Sequence, residues 1–145
     1  MKFYAVIDTN VIVSSMLKHD SVPGTILDLV TNKTIIPILN EEILTEYQDV
    51  LTRNKFGFNK IDIDTFIDGI RANSILLDRQ KTIEDYIDED DIVFYEIVMS
   101  ARNTMDAYLI TGNIKHFPKK SFVVTPKEML DIVSQKIMSD STLLK

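Results

Sequence analysis

Apolar runs of three to six residues alternate along the chain with segments whose apolar residues recur at helical spacing. The runs consist of consecutive apolar residues, which is typical of parallel strands buried on both faces. Five strands are predicted: Phe3–Ile7, Thr34–Leu39, Ser74–Leu77, Tyr108–Thr111 and Phe122–Val124. Five helices are predicted between and after them: Pro23–Thr31, Glu41–Arg53, Ile63–Asn73, Asp91–Arg102 and Lys127–Lys136.

This alternation predicts a doubly wound α/β fold, with helices on both faces of a central, mostly parallel sheet of about five strands. Asn40 and Asp62 are predicted to cap the second and third helices. Pro37 has no ladder donor, so the second strand is expected to carry a bulge or to lie towards an edge. We expect one domain over residues 1–138 and a short C-terminal tail over residues 139–145.

Composition narrows the class of protein. The net charge of −6 argues against a binder that holds nucleic acid by overall basicity. The absence of cysteine excludes disulfides, thiolate zinc sites and a cysteine nucleophile, and it fits a reducing cytoplasm. No apolar run is long enough for a membrane span. The four glycines form no dinucleotide-binding or P-loop motif, and the two histidines are too far apart for a zinc motif.

Polar residues follow two of the predicted strands at the point where each strand ends. Asp8 and Asn10 come directly after the first strand, and Thr111-Gly112-Asn113 closes the fourth. The carboxyl edge of a parallel sheet is where ligands bind in such folds. Asp8 alone could equally be a helix cap. Asp106 precedes the fourth strand, about 17 Å from that edge at strand rise, and is predicted to be structural.

Two helices bring further acids towards the same edge. Glu46 borders the apolar stripe of its helix, although such a glutamate taken alone is more often a surface residue. In the run Asp88-Glu89-Asp90-Asp91, the residue nearest the buried face is Asp91, whereas Asp88 and Asp90 suit capping. Asp8, Glu46, Asp91 and Asn113 are therefore predicted to converge. Carboxylates that converge without His or Cys favour Mg²⁺ or Mn²⁺, which can activate water for attack on a phosphodiester.

These segments resemble a known family. Asp8-Thr9-Asn10, the helix from Glu41 to Glu46, Asp88 to Asp91 with Phe94, and Asp106 to Asn113 look like the PIN domain, in the branch of bacterial toxin components related to VapC-type ribonucleases. The resemblance runs from Lys2 to about Val133. It implies an α/β/α sandwich, Mg²⁺- or Mn²⁺-dependent cleavage of RNA, frequent homodimers and often an antitoxin partner.

The resemblance also assigns roles to residues. Asp8, Glu46 and Asp91 match the catalytic and metal-binding acids of the family. Its usual fourth acid, after Thr-Gly, is Asn113 here, which weakens the expectation of a second metal. Asn10 and Thr111 are expected to contact substrate.

Two basic side chains and two alternative functions remain to be considered. Arg53 and Lys55, at the end of the second helix, either stabilise that helix end or contact RNA. A haloacid-type phosphatase would also use Asp8, but it would need an acid where Asn10 stands. A PIN domain that has lost catalysis and binds RNA or a protein is the non-enzymatic alternative, favoured by Asn113.

Overall fold

A five-stranded parallel sheet forms the centre of the molecule. The computed structural model describes residues 1–82, 84 and 87–144, and for residues 141–144 only the backbone. The strands are β1 (Phe3–Ile7), β2 (Ile35–Leu39), β3 (Ile75–Leu76), β4 (Ala107–Ile110) and β5 (Val123–Val124), in the spatial order β3-β2-β1-β4-β5. Every pairing is parallel. The predicted strands are thus confirmed, each to within two residues at either end.

Within the described residues, six α-helices cover the sheet: α1 (Thr9–Leu17), α2 (Val22–Thr31), α3 (Glu41–Leu51), α4 (Lys60–Asn73), α5 (Glu89–Ala101) and α6 (Pro126–Leu144). Neighbouring residues Ala5, Val6 and Ile7 are all fully buried. Successive strand side chains point to opposite faces, so this burial means that both faces of β1 are covered. The predicted three-layer α/β/α architecture is confirmed.

Pro37 causes no bulge, and it lies where β2 pairs with a neighbour on one side only. β2 lies between β1 and β3, and its register with β1 continues through the pair of Ala5 with Pro37. Strand β3 is short and pairs only with Ile38 and Leu39, so Pro37 lies outside that ladder. At the proline β2 therefore has a neighbouring strand on one side only, as expected for a position towards an edge, because β3 begins opposite Ile38.

Helix α1 was not predicted, and one predicted cap is wrong. The side chain of Asn40 accepts a hydrogen bond from the Ile43 N–H, as expected for the cap of α3. Helix α4, however, begins at Lys60, and its cap is Asn59, which accepts from the N–H of Asp62. Asp62 thus lies in the first turn of α4, where its charge still suits the helix dipole.

The C-terminal helix is longer than predicted. Helix α6 runs to Leu144, so the predicted tail is helical as far as residue 144, and Lys145 lies outside the described residues. Met129 and Val133 anchor the first half of α6 in the core. In the described part of the chain, no helix is both long and apolar enough to cross a membrane.

Candidate active site

The candidate site lies at the carboxyl edge of the two central strands. Strands β1 and β4 are adjacent in space, and the order of the sheet reverses between them. In parallel α/β sheets, such a reversal opens a crevice at the carboxyl edge. The Asp8 N–H donates to the carbonyl of Ile110 at 2.9 Å, so the ends of the two strands are held together there.

Asp8 is a buried carboxylate held by two neighbours. Its side chain follows β1, and the residue is only 6% exposed. The hydroxyl of Thr111 donates to Asp8 Oδ2 at 2.7 Å, and the amide of Asn10 donates to the same oxygen at 3.2 Å. Asp8 occupies the N-cap position of α1 but makes no capping hydrogen bond through its side chain. The capping explanation of this residue therefore fails.

The surroundings of Asp8 disfavour its charge. The pKa of this carboxyl is raised from the ordinary 3.8 to about 6, mainly by burial; the hydrogen bond from Thr111 lowers it, and the charges of Asp91 and Glu46 raise it. The two other acids are therefore close enough to repel Asp8 electrostatically. A buried carboxylate with acidic neighbours is a group whose charged form a cation would stabilise.

Glu46 lies on α3, and its side chain is held in place by the first residue of α1. The hydroxyl of Thr9 donates a short hydrogen bond to Glu46 Oε2. Next to it on α3, Tyr47 is buried and donates its hydroxyl proton to the carbonyl of Ile7, the last residue of β1. Burial, then Asp8 and Glu46, raise the pKa of Tyr47 well above its ordinary value, so its hydroxyl remains a donor. Helix α3 is thereby fixed against the end of β1.

Asp91 is the third acid, in the first turn of α5. Its side chain is 20% exposed, and Oδ2 lies 3.4 Å from His116 Nδ1. Burial raises the pKa of Asp91, His116 lowers it, and the charges of Asp88 and Asp90 raise it. Asp88 occupies the N-cap position without a capping bond from its side chain, and Asp90 is exposed. Asp91 is therefore the inward acid of its run, as predicted.

The turn after β4 is joined to Asp8 and Asn10. Thr111 is fully buried, and its hydroxyl oxygen also accepts from the Asn113 N–H at 2.9 Å. The Gly112 N–H donates to Asn10 Oδ1 at 3.0 Å, and a Cβ on Gly112 would lie 3.3 Å from that oxygen. Glycine thus permits the close approach of the turn to Asn10. Asn113 itself is exposed.

Comparison with known proteins identifies this arrangement. The family model described as PIN domain matches residues 4–115, about three quarters of the chain. The chain belongs to the PIN-domain family. Members of this family are generally nucleases. A curated relative is the uncharacterized protein MJ1680 of Methanocaldococcus jannaschii, 27% identical over 116 residues, or 78% of this chain and 72% of that protein. No solved structure matches the chain.

The acids expected of a PIN domain are brought to one edge, whereas other predicted residues have different positions. Thr111 is fully buried and its hydroxyl is already bonded, so it positions Asp8 and does not lie where it could contact a substrate as predicted. The side-chain amide of Asn10 is likewise already bonded: it donates to Asp8 and accepts from the Gly112 N–H. Asp106 is exposed at the opposite edge of the sheet and pairs with Arg102 at 3.3 Å, so it lies away from the acids; its structural role stays a prediction.

Arg53 and Lys55 lie beyond the C-terminal end of α3. Both are exposed, and Lys55 Nζ lies 5.0 Å from the ring centroid of Phe56. Glu46 is about 8 Å along the helix from Leu51, the last residue of α3, and Arg53 follows two residues later. Their contact with RNA remains a prediction.

The carboxylates of Asp8, Glu46 and Asp91 are suitable ligands for a hard divalent cation, but they do not form a preassembled metal site. Among the described residues, no three acidic or histidine side chains converge as a ready metal site. Each acid is instead held by a neighbour: Asp8 by Thr111, Glu46 by Thr9 and Asp91 by His116. Oxygen donors with a raised pKa are nevertheless the groups that Mg²⁺ or Mn²⁺ would bind and deprotonate.

The charged contacts of His116 and of Glu96 were not predicted from the sequence. From the sequence, His116 is either a surface histidine or a contact for a phosphate, with the former favoured; nothing in its short segment indicates that it lies against Asp91. Glu96 interrupts the apolar face of α5 and is only 5% exposed, and Arg79 binds it with its Nε at 2.8 Å and its Nη2 at 2.6 Å. Arg79 also contacts Glu42 on α3 at 2.7 Å. An acid within an apolar helical stripe is the one available sequence signal for such a buried pair.

Proposed function

We propose that this PIN domain is a Mg²⁺- or Mn²⁺-dependent endoribonuclease that cleaves single-stranded RNA. The observation that carries the proposal is the buried carboxylate of Asp8, whose pKa is raised to about 6 with Asp91 and Glu46 among the causes. Three acids that repel one another are destabilising unless a cation offsets their charge. In a nuclease, such a cation would activate the water that attacks the phosphodiester.

Asp8, Glu46 and Asp91 would hold the metal, with the amide oxygen of Asn113 as an uncharged donor at the edge of the site. The metal, when bound, supplies an activated water and offsets charge on the phosphodiester under attack. The protein's own groups keep the acids in place. Thr111 orients Asp8, and Thr9 orients Glu46; both are contacts to ligand side chains of the kind that tune metal sites.

The biological setting is a further part of the proposal. The likeness of the motifs to the branch of bacterial toxin components supports a toxin that acts in the cytoplasm on cellular RNA. The same likeness supports a homodimer and a small antitoxin protein as partner. Inspection of neighbouring genes for a short antitoxin-like reading frame would test the latter.

One observation favours a second candidate function. Asn113 replaces a carboxylate, which leaves the site one negative charge short of a four-acid centre. A PIN domain that binds RNA or a protein without cleaving would tolerate this loss. The phosphatase alternative loses support, since the chain belongs to the PIN-domain family and Asn10 is engaged by Asp8 and Gly112.

A cleavage assay with matched variants separates these candidates. Labelled single-stranded RNA is incubated with Mn²⁺ and wild type, Asp8→Asn, Asp91→Asn or Asp106→Asn, with EDTA as the blank. Asp106 is a matched control, because it is an aspartate at the opposite edge of the same sheet. We expect Asp8→Asn and Asp91→Asn to lose most of the cleavage and Asp106→Asn to retain it. Equal cleavage by all four proteins would overturn the proposal.

A further inference from the structure

The segment that follows Asp106 reverses the charge of the chain. The 21 residues 107–127 contain four lysines and one histidine and no acid, whereas the whole chain has a net charge of −6. This segment includes β4 and the turn next to Asp8. The segment that carries this turn is therefore positively charged, in contrast to the chain as a whole.

A groove opens in this segment next to the acids. It has a volume of about 330 Å³. Two of its lining residues contact the site: the Gly112 N–H donates to Asn10, and His116 lies 3.4 Å from the carboxylate of Asp91. The groove is lined by Gly112, Asn113, Ile114, Lys115, His116 and Thr125.

The backbone of this segment is held in place. Residues Ile114–His116 form a 3-10 turn, and the His116 N–H donates to the Asn113 carbonyl at 2.9 Å. The next residue, Phe117, is 5% exposed and anchors the turn in the core. The groove is thus presented on a fixed turn, which lowers the entropy lost when a ligand binds.

Two of the lysines in the segment lack an acidic partner in the described part of the chain. Lys127 pairs with Asp131 at 2.9 Å, and Lys120 Nζ lies 3.9 Å from Glu84. For Lys115 and Lys119, no ion pair is present among the described residues. Lys115 lines the groove, so its charge remains available for an external anion.

We propose that the groove is a subsite for the sugar–phosphate backbone of RNA, with Lys115 and His116 as its contact residues; this inference rests on the proposed nuclease function. An edge with three acids repels a polyanion, so cations beside it are needed to hold the chain there. His116 lies between the groove and Asp91. A nucleotide bound to it would therefore lie next to the acidic site.

The chain supplies an unusually close control. Lys18-His19 is a second Lys-His pair, with both residues exposed and with His19 Nε2 2.8 Å from the carboxylate of Asp28. It follows the end of α1, about 13 Å along the helix from Thr9. The experiment compares Lys115→Ala/His116→Ala with Lys18→Ala/His19→Ala, each built on Asp8→Asn. Anisotropy of a fluorescein-labelled oligoribonucleotide in EDTA gives Kd at several salt concentrations.

We expect the variant of the groove to raise Kd several-fold and the control pair to leave it unchanged. For single-stranded nucleic acid, each lost phosphate contact makes the slope of log K against log salt shallower by about 0.7. The groove variant should therefore lose about 0.7 to 1.4 from this slope. Kd and slope equal to those of the control pair would overturn the subsite.

A cleavage assay with the same substitutions made in the wild-type protein, which retains Asp8, distinguishes the two proposals. If wild type does not cleave RNA but the groove variant still binds more weakly, the nuclease proposal fails and the subsite stands. If cleavage depends on Asp8 but the groove variant binds and cleaves as wild type does, the subsite alone fails.

Discussion

Replacing Asp8 with asparagine should stabilise this protein when no metal is present. In the native structure Asp8 is 6% exposed, and its charged form is disfavoured by burial and by Asp91 and Glu46. Asparagine has nearly the same shape and no charge. Its amide oxygen can still accept the hydrogen bonds from both Thr111 and Asn10, because both donate to the same oxygen of Asp8.

The magnitude follows from the pKa of Asp8. A rise from 3.8 to about 6 corresponds to about 3 kcal/mol of unfolding free energy, at about 1.4 kcal/mol for each pH unit between the two values. Burying an amide NH₂ in place of the other carboxylate oxygen costs about 1 kcal/mol. Asp8→Asn should therefore gain about 2 kcal/mol at neutral pH. For a domain of this size that is a rise of roughly 4–8 °C in Tm.

The pH dependence has a definite sign. Because the native pKa lies above the unfolded one, protonation of Asp8 stabilises the fold, fully below about pH 4. That stability is lost as pH rises through about 6. The advantage of Asp8→Asn must therefore grow between pH 4 and 6 and be complete at pH 7.5, whereas at pH 4 little of it is left to offset the cost of the buried amide.

Urea unfolding in EDTA at pH 7.5 and at pH 4 measures this difference. EDTA is required, since a bound cation would stabilise the wild-type carboxylate. Asp106→Asn is the control and should change the unfolding free energy little, because the Asp106 side chain is 81% exposed. The reasoning is refuted if Asp8→Asn is no more stable than wild type at pH 7.5, or if its gain is the same at both pH values.

Three further predictions concern other parts of the molecule. Asn113→Asp should restore a negative charge, tighten Mn²⁺ binding by calorimetry and lower stability in EDTA; unchanged affinity would mean that residue 113 does not face the acids. Arg79→Ala should lower the unfolding free energy by about 2–3 kcal/mol, since it leaves buried Glu96 without its ion pair, whereas Arg71→Ala should cost less than about 1 kcal/mol. Arg53→Ala should weaken RNA binding and flatten its salt dependence without altering metal affinity; an unchanged salt slope would leave Arg53 with its helix-end role alone.

The strands and the acidic edge could be predicted because they follow from local patterns. Buried parallel strands are short apolar runs, and the residue after such a run lies at the carboxyl edge. This places Asp8 and the turn at Thr111 without knowledge of the packing. The border of an apolar helical stripe likewise predicts that Asp91 points inwards.

What could not be predicted depends on tertiary contacts. Helix α1 begins Thr9-Asn10-Val11-Ile12-Val13, and β-branched residues have low helix propensity, so the segment carried no helical signal. Burial of Val11 and Ile12 against the core outweighs that propensity. The roles of Thr111 and His116 depend on partners about a hundred residues and 25 residues away, respectively, which no periodicity reveals.

Calorimetric titration with Mn²⁺ tests most directly whether the acidic edge is a metal centre. Wild type, Asp8→Asn and Asp106→Asn are compared at pH 7.5, after removal of metal. We expect saturable Mn²⁺ binding to wild type and to Asp106→Asn, and loss of that binding in Asp8→Asn. Equal binding by all three proteins, or none by wild type, would show that the acidic edge is not a metal centre.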